Sequence, residues 1–321
     1  MPGWMPARQV KLRRDWLPAR DARGRVVSPS CDDVAIVGDE GVEPAARTAV
    51  AGVPAVALWW PFVTSYVLCA TPRSGSTLLC GLLESTGIAG RPESYFRRED
   101  RDVYAERWGV PRSADGGVDV GSFVRAAVAA GSTPNGVYGA RVMWGTMTEL
   151  TDALASVNGH DGATALELLT NAFGNLRFLH LRRIDTVAQA VSWARAEQTH
   201  FWHPADHLAA GAAKPSFDRD LIAELVKTID AHEAAWHTWF DDQRVTPCEV
   251  TYEDLAADPV GVTLAVLGFL GFVLPAEQTI MVRDRRQADE LNAAWIDRFK
   301  KYDGAATWRR RAAERGVSFR N

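Results

Sequence analysis

The stretch Ser65-Tyr-Val-Leu-Cys-Ala-Thr-Pro-Arg-Ser-Gly-Ser-Thr-Leu-Leu-Cys-Gly-Leu-Leu-Glu-Ser-Thr-Gly87 decides the fold of this chain. Ser65 to Ala70 is a short apolar run that reads as a buried strand, and Leu78, Leu79, Leu82 and Leu83 recur at helical spacing until Gly87. The unit is strand, tight loop, helix. Pro72, Arg73, Ser74, Gly75, Ser76 and Thr77 lie between them, mostly small residues that let backbone N–H groups approach an anion at the positive end of a helix. Arg73 supplies a fixed charge with planar donors, and the hydroxyls of Ser74, Ser76 and Thr77 suit phosphate or sulfate oxygens. The G-x-x-x-x-G-K-[ST] pattern is not met, which disfavours an ordinary magnesium-dependent NTPase. The competing reading is a plain strand-to-helix turn with nothing bound.

Working outward, 321 residues suit one large domain. Residues 1–45, rich in Arg, Asp, Gly and Pro, are expected to be a poorly ordered or arm-like extension. Residues 46–64 form an apolar packed segment, too short and too interrupted by Pro54 and Pro61 to span a bilayer, and residues 65–321 form the main domain. No secretory signal pattern opens the chain. The 36 basic and 40 acidic residues, a net charge of −4, give no global field for nucleic acid. Cys31, Cys69, Cys80 and Cys248 show no C-x-x-C spacing, which suggests a reducing compartment and a cytoplasmic location.

Beyond Gly87, Pro92 biases the chain out of helix, so Glu93 is expected in a loop beside the anion site. Arg97 to Arg107, dense in both signs, reads as an exposed, lid-like region, with a small helix near Phe123 to Ala130 and a turn at Thr133 to Gly136. Val137 to Trp144 and Asn175 to Leu181 read as strands. The second of these delivers Arg182 and Arg183 to the strand edge that also carries Arg73, because ligands of parallel sheets lie beyond the carboxyl ends of strands. Ser192, in the following helix, offers a hydroxyl if its face turns inward. His200 and His203 lack a third ligand at metal spacing, so no metal is expected. A long amphipathic helix over Leu221 to Phe240, a strand over Cys248 to Leu255 and a helix over Pro259 to Leu270 complete an α/β three-layer pattern around a mostly parallel sheet.

Thr71-Pro-Arg-Ser-Gly-Ser-Thr-Leu-Leu79 resembles the 5'-phosphosulfate loop of sulfotransferases. Gly90-Arg-Pro-Glu-Ser-Tyr-Phe96, Thr133 to Gly139 with Met143-Trp144, Arg183 with Gln189 to Ser192 and Gln198-Thr199, and Arg286 to Asp289 narrow the resemblance to the bacterial trehalose 2-sulfotransferase family. It covers about residues 65 to 303 and implies a P-loop-like α/β fold. It also implies 3'-phosphoadenosine 5'-phosphosulfate as sulfuryl donor, a carbohydrate or glycolipid hydroxyl as acceptor, no metal, and a homodimer. On that resemblance Arg73, Ser74, Gly75, Ser76, Thr77 and Leu78 hold the phosphosulfate, Arg183, Ser192 and Arg286 serve the 3'-phosphate, and Glu93 is the base with Arg73 as its catalytic partner. The family's Glu falls at Ser94, one place after Glu93, and Ala188 stands where the trehalose pattern has Ser. A catalytically inert nucleotide- or glycan-binding relative and a P-loop kinase-like phosphotransferase stay open beside this reading.

Overall fold

The computed structural model describes residues 64–158, 162–199, 202, 215–282 and 290–302, with two further two-residue strands, Ala19–Arg20 and Val26–Val27, paired antiparallel. The main sheet has four parallel strands: β1 (Thr64–Ala70), β2 (Tyr138–Met143), β3 (Asn175–Arg182) and β4 (Cys248–Thr251). Their spatial order is β2-β1-β3-β4. β1 is central, paired from Ser65 opposite Tyr138 on one side and from Thr64 opposite Asn175 on the other.

Successive residues of β1 face opposite layers, which is why Tyr66 to Ala70 are all apolar. Tyr66 and Leu68 pack with α1 (Ser76–Ser85) and α9 (Pro259–Leu270). Val67 and Cys69 pack with α3 (Val120–Gly131), α4 (Trp144–Asn158), α5 (Ala165–Phe173) and α7 (Arg219–Gln243). A third cluster joins α6 (Thr186–Thr199), α7 and α10 (Glu290–Tyr302). The α/β three-layer expectation therefore holds, and the Trp stripe of α7 is core, with Trp236 sealed from solvent.

Several elements differ from the expectation. The Arg97 to Arg107 stretch is ordered as a 3-10 turn (Arg98–Asp100) and helix α2 (Arg101–Trp108), because Tyr104 and Trp108 stack on each other and against Tyr95. Charge density concealed that aromatic anchor. The fourth strand ends at Thr251, whose side chain caps α8 (Tyr252–Ala257) through the Asp254 N–H, so the run to Leu255 is half helix. Trp144 belongs to α4 and not to the strand before it. Helices α4 and α5 escaped the sequence reading, although Thr164 and Glu167 form a capping box at the start of α5. Cys69 and Cys80 are both buried, one in each apolar layer beside the sheet.

One close approach fixes the sheet's register. Tyr66 lies opposite Gly139 and donates its hydroxyl to the Ala89 carbonyl at 2.7 Å; a Cβ on Gly139 would stand 2.6 Å from the Tyr66 ring. Gly139→Ala is expected to lower unfolding free energy by about 1 to 3 kcal/mol, the cost of overpacking a filled site. A denaturant midpoint equal to wild type at unchanged slope would show that the ring yields freely.

Candidate functional site

The chain leaves β1 toward β2 on one side and later returns to β3 on the other, so the loops after β1 and β3 diverge. A crevice opens between them, the place where open parallel sheets hold ligands. Two of the sequence-derived Arg positions lie at its rim: Arg73 follows β1 and Arg183 follows β3.

The loop after β1 is built for close backbone approach. Arg73 has φ of 64° and Gly75 of 94°, a left-handed pair that turns the chain into α1. Gly75 is the N-cap of α1 with no side-chain cap, and the first turn carries no acidic residue, so the helix presents bare N–H groups. A Cβ on Gly75 would stand 2.5 Å from the Tyr252 ring. Ser74 is buried, and its Oγ has no hydrogen-bond partner among the described residues. An orphaned hydroxyl beside bare helix N–H groups suits an anion's oxygens. The Leu78 side chain packs against the core on the α1 face.

Arg73 reaches across the crevice to α6: its Nε donates to Ser192 Oγ at 3.0 Å and its Nη1 to the Trp202 carbonyl at 3.0 Å. Ser192 therefore faces inward. Arg183 lies over the Tyr252 ring, its guanidinium carbon 4.3 Å from the centroid. Burial first, then the guanidiniums of Arg183 and Arg195, draw the pKa of Arg73 below its ordinary value. Such a cluster of cations is stable when an anion lies among them. Arg182, expected at the same edge, instead turns to Glu249 at 3.6 Å, because consecutive strand residues face opposite sides. Arg286, His200 and His203 lie outside the described residues.

Glu93 is held by sheet pairing. It forms a parallel bridge with Ala140 on the outer edge of β2, and its carbonyl accepts the Arg141 N–H at 3.0 Å. The Glu93 side chain is half-exposed, and Oε1 accepts both the Ser94 N–H at 2.7 Å and Arg141 Nη2. Oε2 is the oxygen left to accept a further proton.

Arg141 was missed by sequence reasoning. It is 6% exposed, yet its Nη1 donates to Thr77 Oγ1 at 3.0 Å and its Nε to Ser94 Oγ at 2.8 Å, with Ser76 Oγ 3.5 Å from Nη1. One guanidinium thus joins the anion loop to the Glu93 segment. The only sequence signal was a cation in the middle of an apolar strand, which ordinarily requires a partner.

A strand-to-helix turn with bare helix N–H groups, rimmed by arginines at the switch point of a parallel sheet, gives an α/β protein of P-loop-like form. The chain belongs to the Stf0 sulfotransferase family, whose profile matches residues 65–302. It is 29% identical over 261 residues to the trehalose 2-sulfotransferase of Mycobacterium tuberculosis, covering 74% of this chain and 95% of that protein. It is also 29% identical over 259 residues to the trehalose 2-sulfotransferase of Mycolicibacterium smegmatis, with the same coverage. Among solved structures, the sulfotransferase domain of the Synechococcus PCC 7002 olefin synthase aligns with a TM-score of 0.38 at 15% identity, covering 81% of this chain and 96% of that one. Among the described residues no helix is long and apolar enough to cross a membrane.

Proposed function

We propose that this sulfotransferase moves the sulfuryl group of 3'-phosphoadenosine 5'-phosphosulfate to a hydroxyl of a carbohydrate or glycolipid acceptor by in-line displacement, without a metal. The observation that carries the reading is Arg141, which joins the hydroxyls of the anion loop to the Glu93 carboxylate. The 5'-phosphosulfate lies on the N–H groups and hydroxyls of Arg73 to Thr77. Glu93 Oε2 takes the acceptor proton while Arg141 and Arg73 offset charge on the sulfuryl oxygens and the leaving phosphate. No covalent intermediate forms; positioning and electrostatics carry the rate, as in phosphoryl transfer. Arg183, with Ser192 and Arg286, takes the 3'-phosphate. The sugar acceptor is supported by the name of the two mycobacterial relatives, and trehalose is the first acceptor to try.

The test is calorimetry with 3'-phosphoadenosine 5'-phosphate, followed by transfer from labelled donor to a panel of sugars headed by trehalose, with EDTA present. Binding and transfer are expected. Nucleotide binding without transfer to any sugar would favour an inert relative, and turnover dependent on magnesium and ATP a kinase.

Arg73→Ala and Arg183→Ala should each weaken that nucleotide by about 1.5 to 3 kcal/mol, the worth of a hydrogen bond to a charged group. Only Arg183→Ala should erase the preference for a 3'-phosphate over a 3'-hydroxyl. Equal discrimination by the two variants in calorimetry would dismantle the two-site assignment.

A further inference from the structure

Behind the anion loop lies a charged chain that the transfer reaction does not use directly. His180, on β3, is fully buried, and both ring nitrogens face carboxylates. Nδ1 is 3.0 Å from Glu249 Oε1 on β4, and Nε2 is 3.1 Å from Glu233 Oε2 on α7. Ionised carboxylates only accept, so Nδ1 offers a hydrogen to Glu249, and a second hydrogen on Nε2 sets an imidazolium between the two carboxylates. The Nε2 contact is a close ion pair lying off the hydrogen-bond line, so charge is what holds it.

Glu233 passes that charge on. Its Oε1 accepts the Thr71 hydroxyl at 2.9 Å, which uses the only hydroxyl proton. Thr71 Oγ1 must then accept, and it does so from Gln189 Nε2 at 2.8 Å; the same amide nitrogen donates to the Pro72 carbonyl at 2.7 Å. One turn along α7, Trp236 donates to the Ala70 carbonyl at 3.1 Å. Residues 70–72 are thereby fixed immediately before Arg73.

We propose that His180 is a positioning residue: its buried cation holds Glu233, and through Glu233 and Thr71 it sets the anion loop in the form that binds the donor's phosphosulfate. This rests on the reading of the loop as the donor site. With the cation gone, Glu233 stands uncompensated behind a loop meant for anions, and Thr71 loses a fixed partner.

Burial pulls the His180 pKa down, but its contacts with Glu233 and Glu249 outweigh this and hold it at about 9. The charged and titratable groups facing the cluster are Glu249 and Arg182 from the strands, Glu233, His232 and His237 from α7, and the buried Cys69 thiol of β1. Because the folded value lies above the ordinary 6.5, the stabilisation is complete below the unfolded pKa and is lost as pH rises through about 9. His180, His237 and Glu249 also bring ligand atoms within 4.8 Å of one another, so a divalent cation is the competing occupant of the proton's place.

The full chain is compared with His180→Gln and with His180→Gln/Glu233→Gln. The readouts are calorimetry with 3'-phosphoadenosine 5'-phosphate and amide-exchange protection of residues 70–79. In His180→Gln, nucleotide affinity and loop protection should each fall roughly tenfold, equivalent to 1.4 kcal/mol, while amides of β2 stay protected. The added Glu233→Gln should restore most of both, a rescue that a packing role would not give. Wild-type loop protection should be full below about pH 6.5 and decline as pH rises through about 9, a loss absent from His180→Gln.

Unchanged loop protection in His180→Gln, or a loss that Glu233→Gln does not relieve, would overturn the proposal. So would EDTA weakening, or zinc strengthening, the wild-type loop, since a cation would then do the proton's work. If wild type binds no nucleotide, the donor reading fails, but loop protection still decides the role of His180. If His180→Gln does not fold, the wild-type step near pH 9 decides it, and its absence counts against the proposal.

Discussion

Glu93→Gln should lower kcat by about 10²- to 10⁴-fold, the contribution of a positioned general base, with donor affinity nearly unchanged. The separation follows from the geometry. Glu93 touches the loop only through Arg141, and an amide oxygen at the same place can still accept from Arg141 Nη2 and the Ser94 N–H. The sheet bridge to Ala140 is a backbone contact and survives the substitution. Transfer rate at saturating acceptor and calorimetric nucleotide affinity, measured on the same preparation, give the two numbers. A kcat within a few-fold of wild type would move the base elsewhere.

Arg141→Gln should cut kcat/KM by about 10²- to 10³-fold, as removal of a preorganised charge stabiliser does. Unlike Glu93→Gln, it acts on both sides of the crevice: Thr77 and Ser76 lose their donor, and Glu93 loses its cation. The variant should therefore weaken the nucleotide as well as slow transfer. A fall in nucleotide affinity with kcat preserved would confine Arg141 to the ground state. Guanidinium ion added to the variant should recover part of the rate if the lost charge, and not a shifted strand, is responsible.

The strand, loop and helix from residue 64 to 85 were legible because three independent signals agree there: an apolar run, small residues at the turn, and helical spacing of Leu. Arg183 was legible from topology, since a parallel strand points its last residues at one edge. Arg182 was misread because strand parity decides which of two neighbours faces the crevice, and that parity is set by packing on β4. Arg141 was illegible for a different reason. Its partners Ser76, Thr77, Glu93 and Ser94 lie 47 to 65 residues away in sequence, and only the register of β2 against β1 brings them together. The His180 chain was equally hidden, because Thr71, Glu233 and Glu249 come from three separate elements.

Arg141 addresses two successive residues at once, Glu93 through Nη2 and Ser94 through Nε. Such a fork leaves room for a carboxylate at either of the two places. With the guanidinium in place, acquiring a second acidic residue next to the first creates an intermediate with one cation for two anions, and either anion can then be lost. Where the charge pair forms is then set by the arginine, and not by which of residues 93 and 94 carries the acid.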